Sequence, residues 1–370
     1  MSGIYIHIPF CKFACHYCNF HFSTSLRYKN ELVSALLKEI DLQAKNFDAG
    51  MVETIYLGGG TPSLLSMDEL RSILDKVHQT FSISPDPEIT LEANPDDILP
   101  GTARDWSGIG INRLSIGIQS FYEEDLRWMN RAHDARQAQS CIHSILPYFN
   151  NFSIDLIYGT PGLTDERWKQ NVEKAISLNI PHLSCYALTV EPKTPLDKMI
   201  RTHKTPDVDP DMQSNQFLLL MEWLEPAGYE HYEISNFAKP GFRSRHNSSY
   251  WQGKPYLGIG PSAHSFDGTS RWWNVSNNNK YIESIKRGEL PFEKEVLTPV
   301  QKLNENIMIS LRTSEGLDLS KLSRDENLRI KKDSEKYILQ GLMKLEEERL
   351  VLTRQGKLRA DGIAADLFVV

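Results

Sequence analysis

The chain has 370 residues, 40% of them hydrophobic and 24% charged, with a formal net charge of -7 at pH 7. That balance lacks the basic excess on which phosphate-backbone binding rests, so no nucleic-acid partner is expected. The length exceeds one ordinary compact domain unless that domain is an α/β barrel, and it predicts one large domain with a smaller appendage. The opening "MSGIYIHIPFCKFAC" lacks a basic n-region and breaks its apolar run at Pro9, so it reads as mature structure. No stretch approaches the roughly 18 apolar residues of a membrane span. A cytoplasmic protein is expected, with peripheral membrane contact left open.

In chain order, β-branched and aromatic runs predict six buried strands: "GIYIHI" (3–8), "TIYLGGG" (54–60), "EITLEAN" (88–94), "RLSIGIQSF" (113–121), "FSIDLIYG" (152–159) and "HLSCYALTV" (182–190). Helical spacing fills 28–47, 66–81, 135–146 and 164–179 between them, with Ser66 and Glu69 placed as a capping box and acids after Thr164. Strand alternating with helix predicts an α/β fold with a parallel sheet rolled into a partial (β/α)6 barrel, its functional residues at the strands' C-terminal ends. A further helix is expected at 211–228. The barrel is assigned to 1–230 and an aromatic-rich connecting region to 231–290. The segment 291–370 reads as a winged-helix-like unit for packing or partner contact: helices near 298–312 and 332–347, then two short strands about a turn containing Gly356.

Cys11, Cys15 and Cys18 form a C-x3-C-x2-C pattern in the loop after the first strand, whereas only Cys141 and Cys185 occur elsewhere. In a reducing compartment such thiols bind metal or do chemistry more often than they pair. Three ligands are one short of a closed site. They suit zinc with His16 or His21 as the fourth ligand, or an iron-sulfur cube with one open iron. Cys141 and Cys185 read as packing residues. Gly58, Gly59 and Gly60 at a strand end permit either close ligand approach or a tight turn. "GIGPSA" (258–263) fits a dinucleotide fingerprint only superficially, since Pro261 interrupts it and neither a preceding strand nor a following helix is expected.

The triplet, with "YIHIPFC", "GGGTP", "EANP", "SIGIQSF" and "IDLIYGTPG", resembles the radical S-adenosylmethionine family, in the branch of the coproporphyrinogen oxidase HemN and its relative HemW. The resemblance covers essentially the whole chain. It implies a 4Fe-4S cluster on Cys11, Cys15 and Cys18, with S-adenosylmethionine on the open iron. It places Tyr5, Tyr17, Gly59, Gly60, Thr61, Glu92, Gln119, Arg131, Asp155 and Ala187 at that cofactor. Core packing is an alternative account of Tyr5 and Ala187.

HemN carries a further cysteine two residues after the third, where this chain has Phe20, and "HNSSYW" (246–251) matches the heme motif associated with HemW. His246 could ligate heme iron while Tyr250 and Trp251 stack on the porphyrin; alternatively these aromatics plug the open side of the barrel. The resemblance therefore implies a heme chaperone whose partners are heme, an apo-hemoprotein acceptor and an electron donor. The alternative is an oxygen-independent coproporphyrinogen III oxidase.

Overall fold

The six expected strands share a period-two pattern in which one face is apolar and the other polar. Ile4, Ile6 and Ile8, then Ile55 and Leu57, Leu114 and Ile116, and Ile154 and Leu156 are buried in the main core. The alternate positions carry Tyr5 and His7, Tyr56 and Gly58, Ser115 and Gly117, and Asp155 and Ile157. A strand so patterned must cover its apolar face with helices and turn its polar face to something other than hydrocarbon.

The protein is described by a computed structural model for residues 2–47 and 50–369. Its first six strands are β1 (Ser2–Ile8), β2 (Met51–Gly59), β3 (Ser82–Ala93), β4 (Arg113–Gln119), β5 (Phe152–Tyr158) and β6 (His182–Ala187). They pair in parallel and in sequence order. The helices between them include Lys29–Gln43, Met67–Thr80, Ala135–Ile145 and Asp165–Ser177, all expected. Ser66 and Glu69 close the capping box, and Thr164 accepts from the Arg167 amide. Helix residues such as Leu36, Ile73, Ile142 and Val172 join the apolar strand faces in one core.

The sheet continues beyond these strands. On the β6 side lie β7 (Glu230–Glu233) and β8 (Asn236–Ala238), both antiparallel. On the β1 side lie β9 (Tyr256–Ile259), β10 (His264–Phe266), β11 (Ser270–Asn274) and β12 (Phe292–Val296), with β9 parallel to β1. The stretch 231–290 thus supplies strands to both flanks. The chain leaves β8 at one flank and enters β9 at the other, and the Arg245–Trp251 helix makes that crossing. The strand β9 corrects one premise about "GIGPSA": a strand does precede it, while a turn into β10, not a helix, follows.

The C-terminal unit has its own core around Ile307, Leu319, Ile330, Leu350 and Ile363. The helix Pro299–Leu311 is as expected. The next helix runs Arg324–Leu339, earlier than 332–347, because Ser323 and Glu326 form a capping box that starts it. Residues expected to end that helix form β14 (Met343–Glu346), which pairs with β15 (Arg349–Leu352) about a left-handed Glu347. With β13 (Leu317–Asp318) they make a three-stranded wing. Gly356 sits in a short helix, Arg354–Lys357, not in the hairpin turn.

Candidate functional site: the thiol-lined cavity at the barrel mouth

Side chains from β2 to β6 and the loop after β1 line a single cavity of about 510 Å³. Adjacent strands lie about 4.8 Å apart, so five of them reach one small cavity only if the sheet curls around it. The cavity opens at the C-terminal ends of the strands, where connecting loops can carry chemistry.

Cys11, Cys15 and Cys18 all line it. Their loop is pinned at several points. The Cys11 amide donates to the Ser23 carbonyl at 3.0 Å, the His16 amide to Met129 O at 3.2 Å, and Asn130 Nδ2 to the Ala14 carbonyl at 2.8 Å. Lys12 Nζ reaches Asp96 at 2.6 Å and also pairs with Asp97, tying the loop to the segment after β3. Burial pushes the Cys11 thiol up to about 11, against a hydrogen bond from Thr61, and burial also raises Cys18. Ligation by either therefore requires a metal centre strong enough to displace its proton.

The histidines offered as fourth ligands are engaged elsewhere. His16 Nδ1 donates to the Trp128 carbonyl at 2.7 Å, and His21 Nε2 to Asn278 Oδ1 at 2.7 Å. Neither lines the cavity. Among the described residues, no three His, Cys, Asp or Glu side chains converge on a single-ion site. Thiolates spread over one cavity wall fit a cube, whose ligands attach to separate iron atoms.

Tyr17, Gly59, Gly60, Thr61, Glu92, Gln119, Arg131, Asp155 and Ala187 line the same cavity. Glu92 accepts from Tyr56 Oη at 2.8 Å and from the Gly59 amide at 3.1 Å. Burial nevertheless raises its carboxyl above the usual range. Asp155 is pushed up to about 7, by burial first and then by the charge of Glu92. Arg131 spans the cavity wall, donating to Cys15 Sγ at 3.3 Å, Asn94 Oδ1 at 2.6 Å and the Gly117 carbonyl at 2.8 Å. Its Nε is buried without a partner.

The glycines serve a steric purpose. Gly59 has φ +105, and a Cβ there would lie 2.4 Å from the His7 ring. The amides of Gly59 and Gly60 are already spent, on Glu92 and on the Ile8 carbonyl, so they are not free to hold a ligand.

Tyr5 does not line the cavity. Its hydroxyl donates to His7 Nδ1 at 3.0 Å, because His7 Nε2 must donate to the His21 carbonyl. Cys141 and Cys185 are buried in the core. Sequence reasoning missed Tyr56, Asn94, Ser115, Ser184, Tyr186 and Asn247, which also line the cavity or hold its residues. Tyr56, Asn94 and Ser115 follow the alternation of Gly58, Glu92 and Gln119, and that signal could have found them, whereas Ser184 and Tyr186 share one parity of β6 that is out of phase with Ala187.

His246 lies beneath the cavity, at the N-terminal side of the strands. It is buried, with Nδ1 2.8 Å from Thr54 Oγ1 and Nε2 2.8 Å from Tyr250 Oη. Its ring stacks on Tyr56 at 4.9 Å, and burial lowers its pKa to about 3, so it is neutral. Trp251 packs under the Arg312 guanidinium, 5.3 Å from the ring centroid. The motif is thus a plug across the barrel floor, with Asn247 of the same helix facing the cavity.

The Radical SAM superfamily model matches residues 5–201, and the HemN C-terminal domain model matches 297–359. The protein named heme chaperone HemW in Mycobacterium tuberculosis is 36% identical, covering 99% of this chain and 94% of that relative. The Bacillus subtilis protein of the same name is 32% identical over 98% of each chain, and that of Escherichia coli 38% over 71% of this chain and 69% of the relative. The solved coproporphyrinogen III oxidase HemN of E. coli superposes with a TM-score of 0.87 at 24% identity, covering 100% of this chain and 90% of its own, which establishes a shared fold. A superfamily match across the thiol loop and all six barrel strands, joined to relatives alike from end to end, places this chain in the HemW family of the radical SAM superfamily.

Proposed function

We propose that this protein is a heme chaperone: it binds heme and passes it to an apo-hemoprotein, with a 4Fe-4S cluster on Cys11, Cys15 and Cys18 and S-adenosylmethionine in the cavity. The observation that carries the cofactor reading is the convergence of three thiols, Arg131, Glu92 and Asp155 on one cavity of about 510 Å³. That volume suits a small cofactor. When bound and reduced, such a cluster would supply an electron to S-adenosylmethionine, the chemistry by which that cofactor could be cleaved.

The chain's own groups bind and orient. Glu92, fixed by Tyr56 and the Gly59 amide, offers its carboxylate to a cation such as the cofactor's ammonium. Asp155 faces it across the lumen. Arg131 donates to Cys15 Sγ and places its guanidinium beside the thiol loop. Tyr17 and Ala187 supply apolar wall, and Gln119, held at φ 65 at the end of β4, turns into the cavity.

The heme reading rests on likeness to the HemW relatives and on "HNSSYW", with His246 as iron ligand and Tyr250 and Trp251 as porphyrin contacts. Phe20, exposed at the cavity rim where a fourth cysteine would stand in HemN, sets the chain apart from the oxidase pattern. The acceptor hemoprotein and a reductant for the cluster complete the proposed partners.

The test is anaerobic: reconstituted protein with S-adenosylmethionine, a reductant and coproporphyrinogen III is assayed for protoporphyrinogen, alongside a heme titration at the Soret band. Saturable heme binding that His246→Ala weakens or shifts, without decarboxylation, is expected. Protoporphyrinogen formation would assign the oxidase reaction instead.

A further inference from the structure

As described, His246 cannot reach a heme iron, because both ring nitrogens are taken and the residue is 1% exposed. Two sets of contacts hold its helix down. From the barrel, Glu88 accepts from the Arg245 amide at 3.0 Å and the His246 amide at 2.8 Å, and Thr54 of β2 bonds the imidazole. Gly3 of β1 makes the seat, since a Cβ there would press to 3.2 Å from the imidazole ring. From the C-terminal unit, Arg312 covers Trp251 while also bonding Glu233 and Asp361. The helix is only seven residues long, so it is held chiefly by these contacts and has little stability of its own.

We infer that the Arg245–Trp251 helix is a latched strap, closed by Thr54 and Arg312, and that His246 becomes available only when the strap lifts from β2. The inference rests on the reading of His246 as a heme ligand and adds how that ligand is controlled. A closed fraction lowers the apparent affinity in proportion to the open population. The two anchors belong to different units. A change that frees the C-terminal unit's hold on Trp251 therefore acts on His246 without touching the thiols, although Asn247 of the strap lines their cavity and moves with it.

Two readouts on the full chain separate the latch from the heme reading. Thr54→Val removes the imidazole's only hydrogen bond outside its own helix among the described residues, and Arg312→Met removes the charge over Trp251. Each should raise amide hydrogen exchange within 245–251 about fivefold, and the heme association rate likewise, the effect of losing one hydrogen bond (Thr54) or one cation–π contact (Arg312) worth ~1 kcal/mol. Outside the strap, exchange should stay as in the wild type in Thr54→Val, whereas Arg312→Met should also raise it around Glu233 and in the C-terminal unit, whose ion pairs it removes. In the Thr54→Val, His246→Ala double variant the gain in heme association should vanish. Unchanged exchange and unchanged heme rates in folded variants would overturn the latch even if the wild type binds heme through His246. A wild type without a Soret band, with strap exchange still raised in both variants, would sink the heme reading and leave the latch supported.

Discussion

Asp155 illustrates how the barrel sets the chemistry of single residues. Its neighbours along β5, Ile154 and Leu156, point into the core, so the pleat turns the carboxyl into the lumen towards Glu92. Burial, then Glu92, raise its pKa from 3.8 to about 7. The folded chain therefore holds a proton that the unfolded chain has lost between those values. The associated stability is complete below pH ~4 and disappears as pH rises towards ~7. Allowing for access from the cavity, the effect is on the order of 2 to 3 kcal/mol. Asp155→Asn should remove it, so that in urea unfolding of the cofactor-free protein the variant gains stability over the wild type between pH 5 and 8. The difference carries the test, because His7 and His246, lowered to about 4 and about 3, act with the opposite sign. Parallel pH profiles would refute the assignment.

At the scale of elements, the site is a loop fastened to a barrel. Asn130 adopts φ 58, a left-handed conformation that asparagine tolerates, and its amide donates to the Ala14 carbonyl, between the first and second cysteines of the triplet. Asn130→Ala should destabilise the fold by about 1 kcal/mol and shorten the lifetime of the reconstituted cluster severalfold, read as loss of visible absorbance under a chelator. Equal lifetimes would show that the other ties suffice.

The elements themselves were largely legible, because period-two alternation in "IYIHI" or "IDLIY" states both strand and facing. The pairing of β1 with β9 was not, since Gly3 and Tyr256 meet through the sheet and no local pattern marks the contact. The hairpin misplacement has a similar cause. "LMKLEEERL" is rich in helix formers, and only pairing with β15 makes its first half a strand. The thiols were found by spacing, whereas the burial of His246 depended on Thr54 and Tyr56, nearly two hundred residues away in the chain.

At the scale of the whole molecule, two cores meet along β7. Glu233 is 1% exposed and accepts from the Ser235 amide at 3.0 Å, Asn236 Nδ2 at 2.6 Å and Arg312 Nε at 3.3 Å. Backbone bonds run beside it, from the Ile234 amide to the Arg312 carbonyl and from Ser314 to Tyr232. Arg312 keeps a second, exposed partner in Asp361, so removing Glu233 strands no buried charge on the arginine but does leave the Asn236 amide and the Ser235 amide short of an acceptor. The expected cost is accordingly below that of a fully broken buried pair, about 2 to 3 kcal/mol. Because the lost contacts join the two cores, Glu233→Ala should make the C-terminal unit unfold ahead of the barrel, as a separate lower-temperature calorimetric transition. Glu233→Gln, which keeps an acceptor for both amides, should recover most of the loss. If Glu233→Ala melted in one unshifted transition, the ion pair would be incidental and the backbone bonds alone would couple the units.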